Sequence, residues 1–153
     1  MRRSTGPGSF DGGYVERKKG ILEHKSISVL TTLKDDKKMF RMWERKLKNA
    51  LKEIWGPESV EHLAALTKIP ERTVNTETKL QEAVRKIEEK FDSEEKANEV
   101  SNDLWSIIVS KVEGVGLEKA ADVEEEYEGD GLMAWYRLVK WCTKVGGEGV
   151  TEK

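Results

Sequence analysis

Residues 35–55 read DDKKMFRMWERKLKNALKEIW, and this stretch has the pattern of a long amphipathic helix. Its large apolar side chains recur at intervals of three and four residues, so they form one stripe along a helix. That stripe consists of Phe40, Trp43, Leu47, Leu51 and Ile54. Asp35 is predicted to be the N-cap, because a short acidic side chain accepts hydrogen bonds from the first backbone N–H groups of a helix. Gly56 and Pro57 end the helix.

The same periodicity recurs further along the chain. It predicts helices over residues 57–66, 77–91, 93–112 and 131–145, with a short one near residues 117–123. Pro57, Ser93 and Asp130 are residue types that suit the start of a helix. The sequence therefore predicts an all-α fold, a helical bundle of about five to six helices.

The two ends of the chain lack this pattern. Residues 1–28 are predicted to form a disordered basic tail, because they are rich in glycine, serine and charge without a sustained period. Residues 26–33 (SISVLTTL) read as an extended lead-in that packs on the helices. The helical domain is predicted over residues 29–146, and residues 147–153 form a polar C-terminal tail.

The composition indicates the class of protein. The single cysteine, Cys142, allows no intramolecular disulfide, which favours a reducing compartment, so we expect a cytoplasmic protein. No apolar run reaches the length of a membrane span, and no apolar segment of a secretory signal follows the first arginines. We expect no membrane partner.

Charge is unevenly distributed, although the formal net charge is only −2. Residues 34–52 carry eight basic and three acidic residues, whereas residues 118–130 carry seven acidic residues and one lysine. Such blocks are usually solvated faces, which is the favoured interpretation, but opposite blocks also pair within a monomer or between subunits. The basic face and the basic tail are candidates for salt-sensitive, non-specific and weak RNA binding. The candidate residues are Arg2, Arg3, Arg17, Lys18, Lys19, Lys37, Lys38, Arg41, Arg45 and Lys48.

The sequence offers no convergent set of catalytic groups. His24 and His62 are the only histidines and are far apart, and no phosphate-binding or nucleophile motif is present. Residues 124–126 (EEE) suit either a hard cation or, as the favoured interpretation, a solvated acidic face. Cys142 falls on an apolar helix face and is predicted to be a buried structural thiol. We therefore expect a protein that is not an enzyme and has no cofactor or metal.

Four of the five tryptophans, Trp43, Trp55, Trp105 and Trp135, can fill a helical core, and the fifth, Trp141, is a candidate for an interface. Trp43 and Trp135 sit in the middle of apolar stripes, so we expect them to face each other's helices. Trp141 falls at the edge of its stripe, where it either packs inside the monomer or anchors self-association together with Lys140 and Lys144. In the second case the acidic block at residues 118–130 of another copy is the complementary surface, arranged head to tail.

Two blocks of sequence carry a resemblance to a known family. The first contains Trp43 with Lys46-Leu47, and the second, about ninety residues later, contains Gly131-Leu132-Met133-Ala134-Trp135-Tyr136-Arg137-Leu138. These blocks resemble the "W-x-x-K-L" and "small-x-x-A-W-x-x-L" elements of the Gag-like capsid region of copia-type LTR retrotransposons, or of host proteins derived from it. The resemblance implies an all-helical capsid-type domain that self-associates and helps to package RNA. The alternative is a monomeric helical module that binds nucleic acid non-specifically through the face at residues 34–52.

Overall fold

The computed structural model describes residues 20–34 and 36–144, and within them the chain forms seven α-helices and no β-strand. The helices are α1 (Lys25–Ser28), α2 (Phe40–Trp55), α3 (Pro57–Thr67), α4 (Glu77–Glu88), α5 (Glu94–Lys111), α6 (Val115–Ala121) and α7 (Gly131–Thr143). Four 3-10 turns accompany them, at Ile21–Glu23, Lys37–Met39, Glu71–Thr73 and Glu125–Tyr127. The predicted all-α bundle is confirmed. The predicted tails at residues 1–19 and 147–153 lie outside the described residues.

The N-terminal boundary of the domain differs from the prediction. Residues 20–28 were assigned to the disordered tail, but they form a 3-10 turn and α1, with Ile21 and Ile27 buried in the core. These apolar residues belong to elements of only three and four residues, which are too short to display a helical period. Burial against the bundle orders them, so the helical domain includes residues 20–28 as well as those from residue 29 onward.

The segment after α1 is tied to the end of α5. The backbone N–H of Leu33 donates to the carbonyl oxygen of Lys111 at 2.7 Å, and the N–H of Glu113 donates to the carbonyl of Leu33 at 2.9 Å. Lys111 Nζ donates to the carbonyl of Leu30 at 3.0 Å and to that of Ser28 at 3.3 Å. The predicted extended lead-in is therefore correct for its second half, where the chain packs on the helices.

The N-caps of two helices, α5 and α7, follow the predicted chemistry. Ser93 Oγ accepts from the N–H of Lys96 at 3.0 Å, and Asp130 Oδ1 accepts from the N–H of Met133 at 3.1 Å. Thr76 caps α4 in the same way. Asp35 lies outside the described residues, and Asp36 accepts from the N–H of Lys38 at the turn that leads into α2.

Helix α7 lies at the centre of the core. It packs against α5 and α6 along most of its length and also contacts α3 and α4. The fully buried ring of Trp135 lies 6.5 Å from that of Trp43 and 6.4 Å from that of Phe40 on α2. The prediction that Trp43 and Trp135 are core residues facing each other's helices is thus confirmed.

The start of α7 is pressed against the backbone of α5. The N–H of Gly131 donates to Ser101 Oγ at 2.9 Å, and a Cβ at Gly131 would lie 1.9 Å from the carbonyl oxygen of Ser101. Only a residue without a side chain fits this approach. Close packing on α5 therefore explains why a small residue, Gly131, stands three positions before Ala134.

Candidate functional site

The most distinctive surface feature is a groove beside the second half of α7, with a volume of about 470 Å³. Its other walls are the 3-10 turn Glu71–Thr73, the start of α4 and one residue of α6, Lys119. The three residues predicted for self-association all line it: Lys140, Trp141 and Lys144. We call this feature the α7 groove.

Two further residues complete this face, and the sequence analysis missed them. Arg137 precedes Lys140, Trp141 and Lys144 at the spacing i, i+3, i+4, i+7, which places all four side chains on one side of the helix. That spacing is the signal that identifies Arg137. Lys119 comes from a different helix, so no local pattern points to it.

Trp141 packs within the monomer and is also partly exposed. Its ring packs against α6, where a Cβ at Gly116 would lie 3.3 Å from the Trp141 ring carbon Cζ3. Lys37 Nζ lies 4.5 Å from the centroid of the same ring, in cation–π geometry. The indole is nevertheless only partly buried, and it lines the α7 groove.

The α7 groove carries an excess of positive charge. Arg137 pairs with Glu77, and Lys144 Nζ lies 3.6 Å from Glu71 Oε1, whereas Lys119 and Lys140 have no ion pair with a described residue. Lys140 Nζ instead lies 5.3 Å from the Tyr136 ring centroid. Four cations thus face two carboxylates. The Nη1 atom of Arg137 is buried and has no acceptor among the described residues.

The floor of the groove is rigidly held. The hydroxyl of Tyr136 donates to the carbonyl oxygen of Ile69 at 2.6 Å, which fixes α7 to the end of α3. Burial is the main cause that raises the pKa of Tyr136 to about 12. The phenol therefore remains a neutral hydrogen-bond donor at physiological pH.

An acidic surface adjoins this groove. Asp122 and four glutamates, Glu124, Glu125, Glu126 and Glu128, are exposed, and we call residues 122–128 the acidic segment. Tyr127 in its middle is buried and lies beside Thr78 and Glu77 at the start of α4. The pKa of Tyr127 is raised, first by its hydrogen bond with Glu126 and then by burial. Glu77 also lines the α7 groove, so the two surfaces share a boundary.

The basic residues predicted for nucleic-acid contact separate into three groups. Arg41 and Arg45 on α2 and Lys38 in the turn before it are exposed, whereas Lys37 is partly buried beside Trp141 and Lys48 pairs with Glu44 at 3.1 Å. The tail residues lie outside the described residues: Arg2, Arg3, Arg17, Lys18 and Lys19. The structure adds two exposed lysines of α2, Lys46 and Lys52, and two exposed methionines, Met39 and Met42.

The groups expected to be chemically inert are in structural positions. Cys142 is a free, buried thiol whose pKa is raised to about 12, mainly by burial. The His62 ring packs edge-on against Phe91 at 4.7 Å between centroids. Across residues 20–34 and 36–144, no cluster of three or more histidine, cysteine or acidic side chains has the arrangement of a metal site.

None of the helices in the described part of the chain is both long enough and apolar enough to cross a membrane. Comparison of the chain with models of protein families, with curated proteins and with solved structures found no match.

Proposed function

We propose that this chain is a Gag-like structural protein whose helical domain self-associates, and that the α7 groove is the surface that binds a second copy. The observation that carries the proposal is the partly exposed ring of Trp141 with Arg137, Lys140 and Lys144 around it. Tryptophan and arginine are enriched in protein interfaces, where the ring supplies most of the buried area and the charges give specificity. The resemblance of the two sequence blocks to Gag-like capsid regions points to the same role.

The lysines and the tryptophan of the groove contribute differently to the free energy of self-association. Exposed ion pairs contribute about 0–1 kcal/mol each, so lysines alone would give only weak, salt-sensitive contact. Burial of the remaining exposed surface of Trp141 adds a favourable hydrophobic term that salt does not screen. We therefore expect self-association to depend mainly on Trp141, with Lys140 and Lys144 setting its rate and salt dependence.

Light scattering coupled to size exclusion tests this proposal over a range of protein concentrations. The parent chain should gain mass with concentration, whereas Trp141→Ala should remain near 17.4 kDa with an unchanged helical circular dichroism signal. Val109→Ala removes a 46% exposed apolar side chain from α5 and is the matched control. A parent chain that stays monomeric at high concentration would overturn the proposal.

RNA packaging is the second part of the proposed function, and the exposed basic face of α2 favours it. Lys38, Arg41, Arg45 and Lys46 are all exposed, so phosphate groups can reach them without unfolding any part of the helix. Binding through such a face releases counterions and falls with salt, without preference for sequence.

Fluorescence anisotropy with single-stranded RNA of mixed sequence tests the α2 face. The double variant Arg41→Glu with Arg45→Glu should weaken binding by at least tenfold at low salt. The control, Lys86→Glu with Lys90→Glu, makes the same change of charge at two exposed positions near the end of α4. Equal losses in both variants would mean that only net charge matters and would remove the α2 face from the proposal.

A further inference from the structure

We infer that the acidic segment of one copy occupies the α7 groove of a second copy, and that this exchange is reciprocal about a two-fold axis. The inference rests on the proposed function, because it identifies the partner surface for the groove and the symmetry of the contact. It differs from the head-to-tail arrangement expected from the sequence.

The first step is charge complementarity. The α7 groove presents Lys119, Arg137, Lys140 and Lys144 against only Glu71 and Glu77, whereas the acidic segment presents five exposed carboxylates and no base. Copies of the chain must therefore attract each other wherever these two surfaces can meet.

The second step concerns the position of the two surfaces on one molecule. The buried side chain of Tyr127 holds the acidic segment beside Glu77, and Glu77 pairs with Arg137 in the wall of the groove. On α6, Lys119 lines the groove and lies one helical turn before Asp122 of the acidic segment. Both surfaces therefore lie on the same side of the domain and share an edge.

The third step is symmetry. When complementary patches adjoin, a two-fold rotation places each acidic segment on the other copy's groove, so one interface contains both contacts. A head-to-tail contact through adjoining patches would satisfy only one of them per interface and would bring like charges together at its edge. Reciprocal pairing gives twice as many favourable contacts, and it closes the assembly at two copies.

Complementary charge reversal in the full chain tests the inference. The groove variant carries Lys140→Glu with Lys144→Glu, and the segment variant carries Glu125→Lys with Glu126→Lys; all four positions are on the surface. Each variant alone should be monomeric, because its altered surface repels the unaltered one. An equimolar mixture should regain association, since each altered surface then meets its complement. The control is again Lys86→Glu with Lys90→Glu, which should associate as the parent does.

Mass distinguishes the possible outcomes. Reciprocal pairing predicts that both the parent and the mixture reach a plateau at about 35 kDa, twice the 17.4 kDa of one chain. Mass that continues to rise with concentration would overturn the two-fold inference while leaving self-association intact. A mixture that stays monomeric while the parent associates would overturn the groove–segment contact. A monomeric parent would overturn the proposed function itself.

Discussion

Replacing Gly131 with alanine tests the closest backbone approach in the fold. This residue begins α7, and its N–H donates to Ser101 Oγ in the middle of α5. An added Cβ would lie 1.9 Å from the carbonyl oxygen of Ser101, 2.6 Å from the backbone nitrogen of Trp105 and 2.9 Å from the Cβ of Leu104. Two of these neighbours are backbone atoms inside a helix, so no side chain can rotate to relieve the clash.

The expected cost follows from these distances. A carbon and a carbonyl oxygen do not normally approach closer than about 3.3 Å, so α5 and α7 must separate by roughly 1.4 Å. Overpacking of a core typically costs about 1–3 kcal/mol, and a displaced pair of central helices belongs at the upper end of that range. The gain in helix propensity from alanine is at most about 1 kcal/mol and cannot compensate. We expect a net loss of about 2–3 kcal/mol, or roughly 10 °C in melting temperature.

Thermal and urea unfolding followed by circular dichroism measure this loss. Two glycines provide graded controls. At Gly116 a Cβ would meet the Trp141 ring at 3.3 Å, and at Gly20 it would meet no atom within 4 Å. Destabilisation should decrease in the order Gly131, Gly116, Gly20. If Gly131→Ala melts within about 1 °C of the parent chain, the close packing of α5 on α7 is not as described.

Four further measurements address the core and its polar groups. Trp135→Ala should destabilise the domain by about 3–5 kcal/mol in urea unfolding, since the ring is fully buried; unchanged stability would contradict its position. Trp55→Phe removes the buried 2.8 Å hydrogen bond from Nε1 to Asp103 and should cost about 1–3 kcal/mol, to be checked by its unfolding midpoint. Burial raises the pKa of the Asp130 carboxyl above its ordinary value of 3.8, so the folded state binds this proton more tightly than the unfolded state does. The free energy of unfolding should therefore fall as pH rises from 3.8 through the raised pKa of the folded state. Asp130→Asn, which keeps the cap, should flatten the dependence of the unfolding midpoint on pH. Cys142, with its pKa raised to about 12, should react with an aromatic disulfide reagent at pH 8 only after denaturation, and rapid labelling of the folded chain would show that the thiol is accessible.

Periodicity was a reliable guide to the long helices. In the stripe predicted for α2, Phe40, Trp43, Leu47 and Leu51 are buried and Ile54 is partly buried, because sixteen residues display the helical period several times. The pairing of Trp43 with Trp135 was also predictable, since both lie in the middle of their stripes. Trp55, one of the four tryptophans expected in the core, is buried beside the stripe, and its Nε1 donates to Asp103, a contact across 48 positions that no local pattern displays.

The candidate site was only partly predictable. Lys140 and Trp141 lie on α7 and Lys144 directly follows its last residue, so their proximity follows from local spacing. The contribution of Lys119 and the position of Tyr127 beside Glu77 depend on how α6 and the following turn pack against α7 and α4, which the sequence does not display. Residues 20–28 were assigned to the tail for the same reason, because the Ile21–Glu23 turn packs on α5, which lies far away in sequence.

The connection between the N-terminal segment and the end of α5 has a consequence for the order of assembly. The hydrogen bond from Lys111 Nζ to the carbonyl of Leu30 spans 81 positions of the chain. During synthesis, the Ile21–Glu23 turn therefore lacks its packing surface on α5 until α5 has been completed, while α1 and α3 can already pack against α2. Ile21 would remain exposed for that interval, which leaves this turn open to proteases and to other nascent chains until α5 has formed.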